Sequence, residues 1–312
     1  MRKYFIPAFC LLAIMVSCKT NPSSGLHKPI VFVSIVPQKY FVDKISNGFF
    51  DCQVMVPPGI NVHSYEPKPR QMSLLSTAIA YFSTGLEFEG PWLPKFAALS
   101  PSMQIIHTDT LIQKIASTDK DNESGKSQTQ IGPGHELNGK DPHIWLSPVL
   151  VKQQIMTITA ALQRLDTAHA GIFKSNCDAF CIEIDSLDSR IKTLLPCDTA
   201  KFGKAKNPFL VFHPTWGYFA KDYCLSQIAI EIDGKEPSPQ TMKAILDTAR
   251  LYKIKTVFAQ PEYSKKTAEV IAKEIGATVI DADGLAYDWQ NNLLTVAKNF
   301  ATGRHLKTTN QK

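Results

Sequence analysis

Residues 170–195 read AGIFKSNCDAFCIEIDSLDSRIKTLL, and this stretch predicts one long helix. After Gly171 neither glycine nor proline interrupts it, and Pro196 ends it. A helix of this length spans roughly 37 Å, which is more than one small lobe needs. We therefore expect a stiff connecting helix between two lobes, with an ordinary surface helix of the second lobe as the alternative. Its apolar residues recur every three or four positions, at Phe173, Cys177, Phe180, Ile184, Leu187, Ile191 and Leu194.

Strand and helix patterns alternate on both sides of this stretch. The run Ile30–Val36 is apolar and β-branched, as expected of a parallel strand that is covered on both faces. Ser147-Pro148, Ser238-Pro239 and Ser264 are typical helix starts, and Gly276 is a typical helix end. These patterns predict an α/β fold of two lobes with mostly parallel sheets. Further strands are expected at Gln53–Val56, Phe209–Phe212, Gln227–Ile232, Lys255–Ala259 and Thr278–Ile280.

The first eighteen residues predict export. Arg2 and Lys3 precede a short apolar run from Tyr4 to Val16, which is the pattern of a signal peptide and is too short for a membrane span. The ending Met15-Val16-Ser17-Cys18 resembles a bacterial lipobox, whose cysteine carries the lipid; plain secretion is the alternative. The predicted divisions are a signal peptide (1–17), a lipid-anchored tether (18–28), a first lobe (29–169), the connecting helix (170–195), a second lobe (196–306) and a tail (307–312).

Composition bounds the function classes. The 312 residues carry a formal net charge of +6, and the basic residues do not cluster, so the sequence gives no support for nucleic-acid binding. Five cysteines beyond Cys18 are an odd number without tight spacing, which does not indicate a disulfide framework and leaves their pairing open. Cys177 and Cys181 could form a soft ligand pair, although buried apolar packing is the simpler interpretation.

Three histidines lie far apart in segments that are rich in proline and aromatic residues. His63 lies in PGINVHSYEP (58–67), His143 in DPHIWLSP (141–148) and His213 in FHPTWGY (212–218). Neutral imidazole is the commonest side-chain ligand for borderline transition metals. Any one of these histidines alone would be a capping or core residue more often than a ligand. Together they suggest a metal site that only the folded chain can assemble.

These motifs, in this order, resemble the metal-binding solute-binding proteins of bacterial ABC importers, and within them the zinc-specific lipoproteins. The resemblance implies two α/β lobes bridged by one long helix, with the metal in the cleft between them. It assigns His63 and His143 to the first lobe, His213 to the second lobe, and a fourth ligand to Asp281. The remaining segments that carry the resemblance are TGLEFE (84–89), GKEPSP (234–239) and QPEYS (260–264).

Two departures from that family pattern bear on the site. Relatives usually follow the ligand aspartate with proline and leucine, whereas this chain has Ala282-Asp283, so Asp283 is a rival to Asp281. Zinc-specific relatives often carry a long histidine-rich loop, which residues 117–140 echo only weakly. Glu66 and Gln260 are candidates to accept hydrogen bonds from the ring nitrogens that do not face the metal.

Three imidazoles and one carboxylate suit Zn²⁺ in tetrahedral geometry. Manganese-binding relatives place a carboxylate where His213 stands, so Mn²⁺ is the less favoured ion, whereas Cu²⁺ and Ni²⁺ stay open on ligand type. The prediction is a monomeric, non-enzymatic zinc-binding component that is lipid-anchored at the cell envelope. Its partners would be an ABC permease and its ATPase.

Three alternatives carry a different function. A zinc hydrolase would use three histidines with water in the fourth position, but the chain has no His-Glu-x-x-His helix. A manganese- or iron-binding transporter component would share the fold. A surface adhesin follows historical naming in the family and would need a binding partner that the sequence does not reveal.

Overall fold

The computed structural model describes residues 28–116, 139–197, 207–231 and 237–305. The predicted signal peptide, Cys18, nearly all of the tether, most of the loop 117–140 and the tail lie outside the described residues.

The first four-stranded sheet has the order β2-β1-β3-β4, and all its strand pairs are parallel. In α/β sheets, ligands bind beyond the carboxyl ends of the parallel strands. His63 lies on such a loop, between β2 and α2. The strands are β1 (Ile30–Val33), β2 (Asp51–Val54), β3 (Ala80–Ser83) and β4 (Gln104–His107), and the connecting helices are α1 (Val36–Ser46), α2 (Pro69–Leu75) and α3 (Glu89–Leu99).

The second sheet repeats this arrangement with the order β6-β5-β7-β8, again with parallel pairs. His213 lies two residues beyond the carboxyl end of β5. The strands are β5 (Asn207–Val211), β6 (Leu225–Ala229), β7 (Thr256–Ala259) and β8 (Thr278–Asp281), and the helices are α6 (Gly217–Asp222), α7 (Pro239–Leu251), α8 (Lys265–Ile275) and α9 (Trp289–His305). The two sheets confirm the predicted α/β class.

The predicted long helix is present as α5 (Ala170–Leu194), which has 25 residues and follows α4 (Pro148–Leu165). One of its faces is buried, because its apolar residues recur at helical spacing and pack against α1, α4 and α9. The ring of Phe180 contacts Phe41 of α1 and Trp289 of α9. Burial of each such side chain contributes about 1.5–3 kcal/mol. The helix therefore joins the two lobes, as the sequence predicts.

The predicted helix ends are also present. The hydroxyl oxygens of Ser147, Ser238 and Ser264 each accept a hydrogen bond from a backbone N–H in the first turn of α4, α7 and α8. Gly276 ends α8 with a φ of 62°, a left-handed conformation that favours glycine. Among the described residues, no helix is both long and apolar enough to cross a membrane.

Two strands of the first sheet were not predicted from the sequence. Strands β3 and β4 have only four residues each, and polar Ser83 and His107 end them. Such short runs give a weak periodic signal. The structure also answers the open question of cysteine pairing: Cys197 and Cys224 form a disulfide, while Cys52, Cys177 and Cys181 are free thiols.

Candidate metal centre

The fold brings the three predicted histidines together. One ring nitrogen from each of His63, His143 and His213 lies within 4.8 Å of the other two. The Nε2 atoms of His63 and His213, which are 150 residues apart in sequence, are separated by 2.9 Å. The ring centroids are 4.7–5.3 Å apart. The group is therefore a product of tertiary structure and not of a local motif.

His63 is the most accessible of the three, with 20% of its side chain exposed. The side-chain oxygen of Asn61 accepts a hydrogen bond from the His63 backbone N–H at 2.8 Å, and Gly59, four residues before His63, has a φ of 74°. The His63 Nδ1 atom lies 2.6 Å from an oxygen of Glu87, which follows β3. These contacts turn the opposite nitrogen, Nε2, towards the other histidines.

His143 is buried at the start of a short 3₁₀ turn that precedes α4. Oδ1 of Asp141 accepts a hydrogen bond from the His143 backbone N–H and lies 2.8 Å from its Nδ1 atom. The adjacent indole of Trp145 donates to the carbonyl of Gly284 in the second lobe at 2.7 Å. The segment that carries His143 is thus fixed to both lobes.

His213 is held on three sides by the second lobe. Its Nδ1 atom is hydrogen-bonded to the carboxylate of Glu231, which lies just beyond β6. The amide of Gln260 accepts from the His213 backbone N–H at 3.2 Å and donates to its carbonyl at 2.6 Å. The ring of Tyr263 stacks on the imidazole, with a centroid distance of 4.8 Å and an interplanar angle of 22°.

All three histidines have a carboxylate at Nδ1, and His63 and His213 turn their Nε2 atoms towards each other. A carboxylate accepts a hydrogen bond from Nδ1–H and so stabilises the tautomer whose lone pair is on Nε2. Metal-binding histidines use this tautomer when Nε2 faces the metal. Two such lone pairs repel each other when the His63 and His213 Nε2 atoms are 2.9 Å apart. A shared proton or a cation between them relieves that repulsion. The geometry therefore favours a positive charge at the centre.

Burial sets the protonation of the group. Burial lowers the pKa of His213 to about 4, although the hydrogen bond to Glu231 works against it, and burial also lowers the pKa of His143 well below its usual value. Burial raises the pKa of Asp141 to about 7. For Glu87, burial is outweighed by the hydrogen bond and charge of His63, so its pKa is lowered. At neutral pH the two buried imidazoles are accordingly neutral, the form that coordinates metals.

The predicted fourth ligand does not join this group. Asp281 is 62% exposed at the end of β8, and its Oδ1 atom lies 2.5 Å from the ammonium of Lys265. The rival Asp283 uses its Oδ1 atom to accept from the backbone N–H of Leu285 at 2.7 Å. Successive side chains of a strand point to opposite faces, and Asp281 is the last residue of its strand. In this structure Asp281 therefore lies outside the histidine group, and its role as a ligand stays a prediction.

The two residues predicted to accept hydrogen bonds from the histidine rings do not contact the ring nitrogens. Glu66 is exposed, and Gln260 binds the backbone of His213 instead of its ring. The ring nitrogens are held by Glu87, Asp141 and Glu231, none of which the sequence analysis assigned to this role. Each of them is an acidic residue close to the carboxyl end of a strand or directly beside a histidine, and that placement was the available signal.

A small cavity lies against the three histidines. Its volume is about 10 Å³, which is room for one water-sized sphere. Three imidazole nitrogens around such a space fit a borderline divalent cation and leave one position of a tetrahedron for another ligand. Both lobes contribute walls, and besides the histidines these include Val62, Trp145, Thr215, Glu262, Tyr263 and Leu285.

Comparisons with known proteins find relatives that match most of the chain. The family model described as "Zinc-uptake complex component A periplasmic" matches residues 31–302. The high-affinity zinc uptake system protein ZnuA of Bacillus subtilis (strain 168) is 25% identical over 279 residues, which cover 88% of this chain and 85% of that protein.

Two solved structures share the fold across most of the chain. A crystal structure of ZnuA has a TM-score of 0.77 and 39% identity, and the match covers 88% of this chain and 98% of that one. A zinc-bound deletion mutant of ZnuA gives the same TM-score and identity, with 88% and 97% covered.

Proposed function

The chain belongs to the family of periplasmic A components of zinc-uptake complexes, and on that basis we propose that it captures Zn²⁺ and delivers it to the permease of an ABC importer. The observation that carries the proposal is the convergence of three imidazoles, each backed by a carboxylate, on one point between the lobes. The permease and its ATPase are the partners that such a component requires.

The proposed ligands are the Nε2 atoms of His63, His143 and His213. Three imidazoles form a nitrogen-rich set that favours zinc over manganese, because Mn²⁺ prefers harder oxygen ligands. Cu²⁺ and Ni²⁺ accept the same donors, so the purified protein must be tested against them. Zinc is bound as cargo, and we propose no covalent chemistry; a hydrolysis assay on the zinc-loaded protein tests this against the hydrolase alternative.

Capture and release follow from the division of the ligands between lobes. We propose a first lobe at 29–169 that holds His63 and His143, and a second lobe at 196–306 that holds His213. A small separation of the lobes would break the site because no single lobe holds all three. Tyr218 of the second lobe donates to the carbonyl of Asp141 at 2.8 Å, and α5 spans both lobes. We therefore expect opening by a few degrees of tilt and not by a wide hinge.

The location of the protein follows the family, which is periplasmic. We further propose that residues 1–17 are removed and that Cys18 carries a lipid that anchors a monomer at the envelope. Growth with labelled palmitate tests the anchor: incorporation should be lost in Cys18→Ala, whereas incorporation in that variant would contradict it.

Metal analysis of the purified protein tests the function. We expect one zinc per chain, and at least a 100-fold loss of affinity in His63→Ala, His143→Ala and His213→Ala, since even supporting residues of metal ligands are worth 10–100-fold. His169→Ala is a matched control, because His169 also pairs with a carboxylate, Asp166, at 2.6 Å but lies outside the cluster. Zinc binding that survives in any of the three variants would remove that histidine from the site.

A further inference from the structure

Three imidazoles leave one coordination position of a tetrahedral ion to be filled. A carboxylate is a suitable group, because its negative charge and its oxygen both favour Zn²⁺. Asp281 is paired with Lys265 on the surface in this structure, so another carboxylate beside the histidines is a candidate for this position. The side chains that line the small cavity lie nearest to this position.

Glu262 is the acidic residue among these side chains. It lies on the loop that follows β7, and both ends of that loop are fixed to His213. Gln260 clamps the His213 backbone, and the ring of Tyr263 stacks on the His213 imidazole. Glu262 lies between these two anchors, so its backbone is held beside the histidine cluster.

The other acidic residues near the histidines already have a function there. Glu87, Asp141 and Glu231 each hold an Nδ1 atom, and coordination of the metal by any of them would release its histidine. Glu262 is partly buried and forms no ion pair with any residue within the described ranges. A partly buried carboxylate without a cationic partner is costly, and a bound cation would compensate it.

We propose that Glu262 supplies the fourth ligand, through one carboxylate oxygen, when the cation binds to His63, His143 and His213. This inference rests on the proposed function. It divides the coordination equally, with two ligands from the first lobe and two from the second. Separation of the lobes would then leave the ion with two ligands on either side, which favours release.

The test measures zinc affinity by chelator competition and coordination by the visible absorption of bound Co²⁺. Glu262→Gln should lower zinc affinity at least tenfold and change the Co²⁺ spectrum, because water or an amide replaces the carboxylate. Asp281→Asn tests the rival position and should change neither quantity, and Glu269→Gln, at an exposed residue of α8, is the matched control. The metal-free Glu262→Gln protein should unfold at the same temperature as the unmodified chain or above it, since a partly buried charge has been removed.

The outcomes separate this inference from the proposed function. Failure of the unmodified chain to bind zinc would overturn the function itself. Normal binding with an unchanged affinity or an unchanged Co²⁺ spectrum in Glu262→Gln would overturn only the role of Glu262. A loss in Asp281→Asn instead would return the fourth position to Asp281. If Glu262→Gln does not fold, Glu262→Asp decides the question, because a ligand shortened by one methylene should still weaken zinc binding and shift the spectrum.

Discussion

The two sheets have the same strand order and corresponding hydrogen bonds, yet they contribute to the site differently. Ser34 donates to Phe82 just beyond β1, and Phe212 donates to Phe258 just beyond β5, so the two positions correspond. The next residue is buried Ile35 in the first lobe but His213 in the second. Likewise, Val56 donates to Ser34 where Glu231 donates to Phe212. Corresponding positions beyond the strand ends therefore hold apolar core residues in the first sheet and metal-site residues in the second.

The two lobes hold His213 and His63 with different rigidity. The second lobe places His213 and Glu231 two residues beyond the ends of β5 and β6, close to the backbone hydrogen bonds of the sheet. The first lobe reaches the site with a loop, and His63 is partly exposed beside Glu87, itself 47% exposed. A loop tolerates small changes of position more easily than a strand end. We therefore expect His63 to shift more than His213 when the cation binds.

The largest expected effect contrasts His213→Ala with His63→Ala. Both should lose zinc binding, but only His213→Ala leaves a buried carboxylate, Glu231, without its hydrogen bond. We expect His213→Ala to lower the free energy of unfolding of the metal-free protein by about 3 kcal/mol. His63→Ala should change it by about 0.5 kcal/mol or less. Urea denaturation of both variants measures this, and equal losses of stability would contradict the difference in rigidity between the two lobes.

A smaller effect is expected when the supporting carboxylates are changed. Glu231→Gln and Glu87→Gln keep the shape of the side chain but weaken the hold on Nδ1, so zinc affinity should fall by about 10–100-fold. The loss should be greater for Glu231, because its partner is buried and no water can take its place. Competition titrations decide the order, and a greater loss in Glu87→Gln would reverse our assignment.

The response to pH should be moderate until the solution is strongly acidic. Zinc on His143 favours ionised Asp141, whose pKa is raised to about 7, so binding should release a proton below pH 7 and weaken as pH falls. The effect is limited to about tenfold per pH unit for each proton. Protons compete for His213 only near pH 4, where its lowered pKa lies. Dissociation constants at pH 8, 6 and 5 test this, and a flat response over that range would contradict the role given to Asp141.

The smallest effect on zinc is expected from the disulfide. Cys224 lies before β6, at the opposite end of that strand from Glu231. Serine at both Cys197 and Cys224 should therefore leave zinc affinity unchanged. It should lower stability by about 3 kcal/mol, because the bond closes a segment of 27 residues. A matched change of free Cys181 to serine should affect neither quantity, and a loss of zinc in the double variant would show that the two ends of the second sheet are coupled.

Much of the fold was predictable because its signals are local. The spacing of Phe173, Phe180 and Ile184 predicts α5, and serine hydroxyls predict where α4, α7 and α8 begin. The residues around the three histidines suggested a shared metal site, but their division between the two lobes came from the family resemblance, since nothing local links residues 150 positions apart.

The rest of the site depends on tertiary packing. No local pattern predicts that Glu87 faces His63 or that Glu231 faces His213, because each pair joins loops that follow different strands of a sheet. Asp281 shows the converse. Its place at the end of a strand matches the family pattern, but Lys265 on the adjoining helix draws its carboxylate to the surface.

The paired indoles between the lobes have an optical consequence. Trp145 donates to Gly284, and Trp289 donates to the carbonyl of Trp145, with both rings withdrawn from water. Any parting of the halves would admit solvent to these rings and move their fluorescence to longer wavelengths. The intrinsic fluorescence of these two tryptophans therefore reports metal loading, and no attached label is needed.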